Sequence, residues 1–112
     1  MGQPYRKIIL VSDGTATSHA AAQTALNLAR QHSAKVLVVD SVRPPTIAST
    51  WLTGNAREVF DMVVADKQDR LTKVAAILHE AGVDAQVEIL FGKSSEEIAR
   101  TAISEKADLV IR

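Results

Sequence analysis

Four short apolar runs divide the chain into segments. They cover residues 8–11, 36–39, 87–90 and 109–111, and they are rich in Val and Ile with little polar alternation. Runs of this kind are typical of strands in a parallel sheet whose two faces are both covered by helices. The pattern therefore predicts four strands of a buried parallel sheet.

The segments between these runs have the apolar spacing of amphipathic helices. Residues 17–31 predict a helix that turns alanines toward the sheet, with Thr17 or Ser18 as its N-cap. Residues 55–81 predict a second helix, which Gly82 ends. At 1.5 Å per residue this helix would be about 40 Å long, so part of it is expected to project or to pack on a partner. Its predicted apolar stripe consists of Phe60, Val63, Val64, Leu71, Val74 and Leu78.

A third helix is predicted from Ser94 onward, because Ser94 and Glu97 fit a capping box. The order is then βαβαβαβ, which indicates an open parallel α/β sheet with right-handed crossovers. If the first strand is central, the strand order is 3-2-1-4, a Rossmann-like arrangement. Residues 1–112 are expected to form one domain, in which residues 41–54, with Trp51, form the sizeable loop.

Composition and charge exclude several classes of function. The chain has no cysteine, which rules out thiolate zinc sites and thiol catalysis and favours a cytoplasmic location. Thirteen basic and thirteen acidic residues cancel without long runs, so neither nucleic acid nor a membrane is an expected partner. No targeting signal is visible at the N-terminus. The spacing of His19, His32 and His79 matches no metal motif.

The candidate ligand site lies just after the first strand, because open α/β sheets bind ligands at the carboxyl ends of their central strands. Ser12, Asp13, Gly14 and Thr15 occupy this position. The carboxylate of Asp13 has two possible roles: it could accept hydrogen bonds from an adenine amino group or ribose hydroxyls, or it could cap the following turn. Both roles stay open here, although Asp-Gly is common turn chemistry and spacing alone favours the turn.

A second position with two readings follows the third strand. Gly92 and Lys93 precede a helix N-terminus, where an anion could bind, but a simple turn with a solvated lysine is the favoured reading. No serine has a neighbouring base or a nucleophile elbow. The residues therefore indicate a binding module rather than an enzyme, and whether the chain has any catalytic activity stays open.

Three segments together resemble the universal stress protein family. They are KIILVSDGTATSHAAAQTALNLA at residues 7–29, VLVVDSV at residues 36–42 and VEILFGKSSEEIARTAISEKADLVI at residues 87–111. They occur in the family's order and together extend from residue 7 to residue 111. The resemblance implies an adenine-nucleotide alpha-hydrolase-like fold, and it implies a cytoplasmic stress-response protein that forms homodimers.

The resemblance also implies roles for particular residues. In members of the family that bind ATP, an aspartate at the position of Asp13 contacts the adenosine part of the nucleotide. Residues matching Val11 and Val38 lie near the adenine, and Gly92 matches a glycine that the family commonly has there. The implied ligand is ATP or another adenine nucleotide.

The resemblance has one gap, the glycine-rich segment G-x2-G-x9-G-[ST] that wraps the phosphates in nucleotide-binding members. It would follow the fourth strand, where the chain reaches Arg112. The domain is therefore expected to be incomplete at its C-terminus and to bind an adenine nucleotide weakly or not at all. One alternative is an ATP-binding or slowly ATP-hydrolysing member whose phosphate segment lies beyond Arg112; another is a purely structural dimerisation domain.

Overall fold

The fold alternates strands and helices along the chain. It is described from a computed structural model, for residues 5–13, 15, 18–44 and 56–112. The strands are β1 Lys7–Val11, β2 Lys35–Val42, β3 Ala85–Phe91 and β4 Leu109–Ile111, and the helices are α1 His19–His32, α2 Ala56–Glu80 and α3 Ser94–Ser104.

The four strands form one parallel sheet in the order β3-β2-β1-β4. Strand β1 is central, since Ile8 pairs with Val36 of β2 on one side and with Leu109 of β4 on the other. Ile8, Ile9 and Leu10 are fully buried, as expected of a strand with neighbours on both sides and helices on both faces. The predicted α/β class, element order and strand order are confirmed.

The helices divide between the two faces of the sheet. Ile8 and Leu10 of β1 pack in one cluster with Ala25 and Ala29 of α1 and with residues of α2. Ile9, which points the opposite way, packs in a second cluster that includes Ile98 of α3. The small alanines let α1 approach the sheet closely. Helices α1 and α2 therefore cover one face, and α3 covers the other.

Strand β3 differs from the prediction of continuous apolar strands. Gln86 and Glu88 are exposed, whereas Ala85 and Leu90 of the same strand are buried. This alternation arises because β3 is at the edge of the sheet. On the face of the sheet that α3 packs against, the helix does not cover Gln86 and Glu88. Only the central strands are buried on both faces.

Helix α2 extends beyond the sheet, as its predicted length suggested. It has 25 residues, about 37 Å at 1.5 Å per residue, against roughly 26 Å for an eight-residue strand. Leu71 and Leu78 in its second half are buried, but Val59 and Met62 in its first half are exposed. Val63, predicted to belong to the apolar stripe, is 40% exposed. That assignment was wrong because this part of the helix lies outside the sheet.

The start of α1 agrees with one of the two predicted N-caps. Ser18 does occupy the N-cap position, but its side chain makes no capping hydrogen bond. Its hydroxyl donates instead to the carbonyl oxygen of Thr15 at 2.9 Å, because the turn after β1 folds back toward the helix. Thr17, the other predicted cap, and the loop residues 45–55, with Trp51, lie outside the described residues.

The capping box predicted at the start of α3 is wrong. Ser94 is the first residue of the helix, and the N-cap is Lys93, which has an extended backbone and no capping side chain. The chain enters the helix from Gly92 at a φ of +135°, and the helix begins one residue earlier than the capping box requires. The carboxylate of Glu97 pairs with Arg100 rather than with the backbone.

Asp108 joins the amino ends of β1 and β4. Its Oδ2 accepts hydrogen bonds from the backbone N–H groups of Arg6 at 2.7 Å and Lys7 at 3.0 Å. Beside it, the Lys7 ammonium donates to Glu105 at 2.9 Å. The backbone hydrogen bonds from Arg6 and Lys7 hold the pKa of Asp108 below its usual range. The ionised carboxylate therefore stabilises the fold.

Substitution of Asp108 by Asn is expected to lower the melting temperature at pH 7. Since the pKa of Asp108 is lower in the folded protein than in the unfolded chain, its contribution is present above about pH 4 and is lost as the pH falls through the folded value. The melting temperatures of wild type and Asp108→Asn should therefore converge on acidification. Asp61→Asn, which removes the same charge at an exposed position of α2, is the control. A gap that stayed constant down to pH 3 would contradict this role.

Candidate functional site

The helical connections on either side of the β1 and β4 pair lie on opposite faces of the sheet. The chain leaves β1 through α1 on one face, and it enters β4 from α3 on the other face. A crevice forms outside the carboxyl ends of the strands at such a point. The edge of the sheet at which the strands have their carboxyl ends, here called the carboxyl edge, is therefore the candidate site.

Asp13 lies on this edge immediately after β1. Its Oδ1 accepts two hydrogen bonds from Thr15, one from the backbone N–H at 2.9 Å and one from the hydroxyl at 2.6 Å. The hydroxyl and backbone N–H of Thr15 hold the pKa of Asp13 below its usual range. The carboxylate is thus ionised at neutral pH. It forms the turn that spacing favoured, and its residue is exposed, so a ligand can reach it.

Ser12 lies beneath this turn and is 2% exposed. Its backbone N–H donates to the carbonyl oxygen of Val39 at 3.0 Å, which continues the pairing of β1 with β2. Its hydroxyl lies 3.1 Å from the hydroxyl of Ser18, the residue that precedes α1. Ser12 and Ser18 therefore tie the turn to the start of α1.

A groove of about 380 Å³ leads from this turn down between α1 and α2. At the carboxyl edge Ser12, Thr15 and Ser18 line it. Farther from the edge it is lined by residues of the two helices, His19, Ala22, Gln23 and Leu26 from α1 and Arg70, Lys73, Val74, Ile77 and Leu78 from α2. This concave surface is here called the α1–α2 groove.

Two valines of the predicted site lie in the core rather than at the surface. Val38 is 0% exposed and packs beneath α1 and α2, so its side chain contacts the core alone. Val11 is partly buried and packs on the other face, against the cluster around Ile9 and Val39. Contact of either residue with a ligand stays a prediction, and for Val38 such contact would have to be indirect.

Of the two predicted glycines, the structure describes Gly92, which lies away from the Asp13 turn. Gly92 follows β3, two strands away from β1 and thus roughly 10 Å from it. Its N–H donates to the carbonyl oxygen of Val42 at 3.0 Å, which closes the end of the β2 and β3 pair. Gly14 lies outside the described residues. The structure thus brings together Ser12, Asp13 and Thr15 of the predicted set.

Ser18 and the α2 residues of the groove were missed by the sequence interpretation. Arg70 and Lys73 belong to α2, which is distant in sequence from the turn. One signal could have found them: they precede Val74, Ile77 and Leu78 at spacings of three and four residues, which places all five on one side of a helix. The sequence interpretation used only Val74 and Leu78 of this pattern, as part of the apolar stripe of the helix.

The histidines take part in local contacts. His79 Nε2 lies 2.8 Å from the carbonyl oxygen of Ala85, and the ring of His32 meets the ring of Tyr5 edge to face at 4.9 Å between centroids. Among the described residues, no three His, Cys, Asp or Glu side chains lie close enough together to hold a metal ion. In the same part of the chain, no helix has the length and apolar character needed to cross a membrane.

Comparison with known proteins decides the family. The sequence model of the universal stress protein family matches residues 4–111. The chain belongs to the universal stress protein family. A universal stress protein of Methanocaldococcus jannaschii is 30% identical over 107 residues, 96% of this chain. The chain spans 63% of that relative's length.

Solved structures of universal stress proteins have the same fold. UspA from Lactobacillus plantarum superposes with a TM-score of 0.81 at 19% identity, covering 96% of this chain and 75% of that one. A universal stress protein in complex with cAMP superposes with a TM-score of 0.60 at 22% identity, covering 95% of this chain and 70% of that one. Because both identities are low, these likenesses concern the fold alone.

Proposed function

We propose that this universal stress protein chain is a regulatory binding module that binds an adenine nucleotide, such as ATP or AMP, weakly at the carboxyl end of β1. The observation that carries the proposal is the exposed carboxylate of Asp13 at the end of the central strand. Its lowered pKa keeps it ionised, so it can accept hydrogen bonds from an adenine amino group or from ribose hydroxyls. The complex of a family member with cAMP, itself an adenine nucleotide, supports the same ligand class.

The proposal assigns the binding energy to the adenosine part of the nucleotide. Ser12, Asp13 and Thr15 carry one negative charge between them and no positive charge. A phosphate gains nothing from such a group, because like charges repel at short range. Phosphates should therefore add no affinity, and AMP and ATP should bind this chain no more tightly than adenosine.

Isothermal titration of the 112-residue chain with adenosine, AMP and ATP tests this function. Replacement of Asp13 by Ala should weaken all three by about tenfold or more, since a hydrogen bond to a charged group contributes about 1.5–3 kcal/mol. Asp13→Asn, which keeps an acceptor oxygen for the Thr15 turn but loses the charge, should fall between Ala and wild type. Asp84→Ala removes an exposed carboxylate just before β3, at the opposite edge of the sheet, and should change nothing.

Two results would overturn the proposal. A micromolar dissociation constant for ATP, with adenosine far weaker, would assign the affinity to the phosphates instead. Binding that is unchanged in Asp13→Ala would remove the carboxylate from the site.

We also propose that the module works as a homodimer. The support is apolar surface that is exposed on the single chain. It comprises Met62 in the first half of α2, Phe91 at the end of β3, Ile103 near the end of α3 and Val110 in edge strand β4. Exposed apolar groups and an unpaired strand edge are common at protein interfaces. Sedimentation velocity over a concentration series should give the dimer mass, and a monomer at every concentration would exclude it.

A further inference from the structure

The α1–α2 groove changes character along its length. Helix α1 begins at the carboxyl edge and α2 runs from that edge toward the other end of the sheet, so Arg70 lies nearer the edge than Leu78. The end near the edge is polar and basic, and the far end is aliphatic. Neither the Asp13 turn nor the proposed nucleotide site uses the far end.

The far end of the groove is mainly aliphatic, and Gln23 of α1 lies between its two ends. Ala22 and Leu26 of α1 face Val74 and Leu78 of α2 across it. Leu78 is buried and forms part of the floor, whereas Ile77 is 52% exposed at the rim. Among the described residues that line the groove there is no Phe, Tyr or Trp, and the His19 ring lies at the other end, so a planar base has no ring to stack on at the far end. The surface suits an aliphatic chain.

The end near the carboxyl edge is basic. His19, Arg70 and Lys73 line it, and no Asp or Glu is among the described lining residues. Arg70 and Lys73 pair along α2 with Asp66 at 3.1 Å and Asp69 at 3.2 Å. Both pairs are exposed, and exposed i,i+4 pairs contribute so little that an incoming carboxylate can replace them. The N-terminus of α1 adds partial positive charge at the same end.

The dimensions of the groove fit a small ligand. A volume of about 380 Å³ lies within the range of small-molecule sites. His19 and Leu26 are seven residues apart on α1, which is roughly 10 Å along the helix axis. A ligand of that length with one anionic end matches both the apolar and the basic parts. A partner helix would need a longer groove, because even three turns of helix extend about 16 Å.

We propose that the α1–α2 groove binds a medium-chain aliphatic carboxylate, with the carboxylate between Arg70 and Lys73 and the chain lying toward Leu26 and Leu78. The binding is noncovalent. Charge complementarity selects the acid over a neutral or cationic amphiphile, and the aliphatic lining selects it over a nucleotide.

Titrations of the full chain with octanoate, 1-octanol and octylamine test this site, followed by amide chemical shifts and by calorimetry. Octanoate should bind most tightly and should shift the amides of Ala22 and Val74. The double variant Arg70→Gln/Lys73→Gln should weaken octanoate by about five- to tenfold, as expected for two partly exposed ion pairs, and leave 1-octanol unchanged. Arg57→Gln, which removes one charge from the exposed first turn of the same helix, should leave octanoate binding unchanged.

Chain length and groove volume give independent checks. Each added methylene from hexanoate to octanoate should tighten binding by up to about fourfold, because each buried methylene adds apolar contact. Ala22→Leu fills the groove and should abolish binding of both octanoate and 1-octanol. The same variant should leave adenosine binding at the Asp13 turn unchanged, so that failure of the nucleotide site and failure of this site can be told apart.

The outcomes that overturn this inference are equally specific. Equal affinity for octanoate and octylamine would remove the role of the basic end, and affinity independent of chain length would remove the role of the aliphatic end. Shifts at Ala22 and Val74 caused by ATP, but not by octanoate, would assign the groove to the nucleotide.

Discussion

Replacing Leu71 with Ala is expected to lower the free energy of unfolding by about 2–5 kcal/mol. Leu71 is 0% exposed and belongs to the cluster in which α2 packs on the sheet with Val36 and Val38. The substitution removes buried methyl and methylene groups and leaves a cavity that the rigid sheet can fill only in part. Alanine is the best helix former, so the loss comes from packing rather than from the helix itself.

Urea or thermal unfolding followed by circular dichroism measures this loss. Met62→Ala is the matched control, since Met62 is on the same helix but is 71% exposed. We expect that substitution to change the stability of the chain by no more than about 0.5 kcal/mol. Equal effects of the two substitutions would contradict the position of α2, because they would place its first half in the core as well.

Replacing Gly92 with Ala is expected to destabilise the protein by about 1–3 kcal/mol. Gly92 has a φ of +135°, a conformation that a residue with a side chain rarely adopts. A Cβ at this position would also lie 3.0 Å from Cγ and 3.2 Å from Cδ of Glu97. Both effects act in the folded state, between the end of β3 and the start of α3.

Two further variants separate these effects. Gly92→Ala/Glu97→Ala removes the close contact but keeps the backbone strain, so most of the destabilisation should persist. Gly82 has a φ of +84°, and no atom lies within 4 Å of the Cβ that an alanine would add there. Gly82→Ala should therefore destabilise the protein through backbone strain alone, by about 1–2 kcal/mol. Nucleotide affinity should be unchanged in the folded Gly92→Ala protein. Lost affinity with unchanged stability would instead make Gly92 a ligand-binding residue.

The core of the sheet could be predicted from sequence because its signals are local. The runs around Ile9 and Leu37 are apolar over consecutive residues, which indicates strands without reference to the rest of the chain. Gly82, just after α2, has the positive φ that a helix end requires. Asp13 was also predicted from sequence, as the carboxylate at the end of the first strand.

The helix starts were predicted less well because their signals compete with tertiary contacts. Ser94 and Glu97 have the spacing of a capping box, yet the helix begins at Ser94 itself. The backbone of Gly92, held by its hydrogen bond to Val42, determines where the chain enters the helix. Ser18 was likewise predicted as a cap, but its hydroxyl contacts Ser12 and Thr15 in the turn.

By itself the sequence determined that this protein is a parallel α/β domain with Asp13 at the end of a strand, since periodicity and turn chemistry depend on neighbouring residues. Only the tertiary structure decided that Val38 is enclosed, that Gly92 lies two strands away from Asp13, and that Arg70 and Lys73 stand beside α1. The physical reason is that a groove exists between elements. Its lining depends on how α1 and α2 pack side by side on one face of a twisted sheet. The distance between the two helices cannot be predicted from the residue pattern of either helix alone.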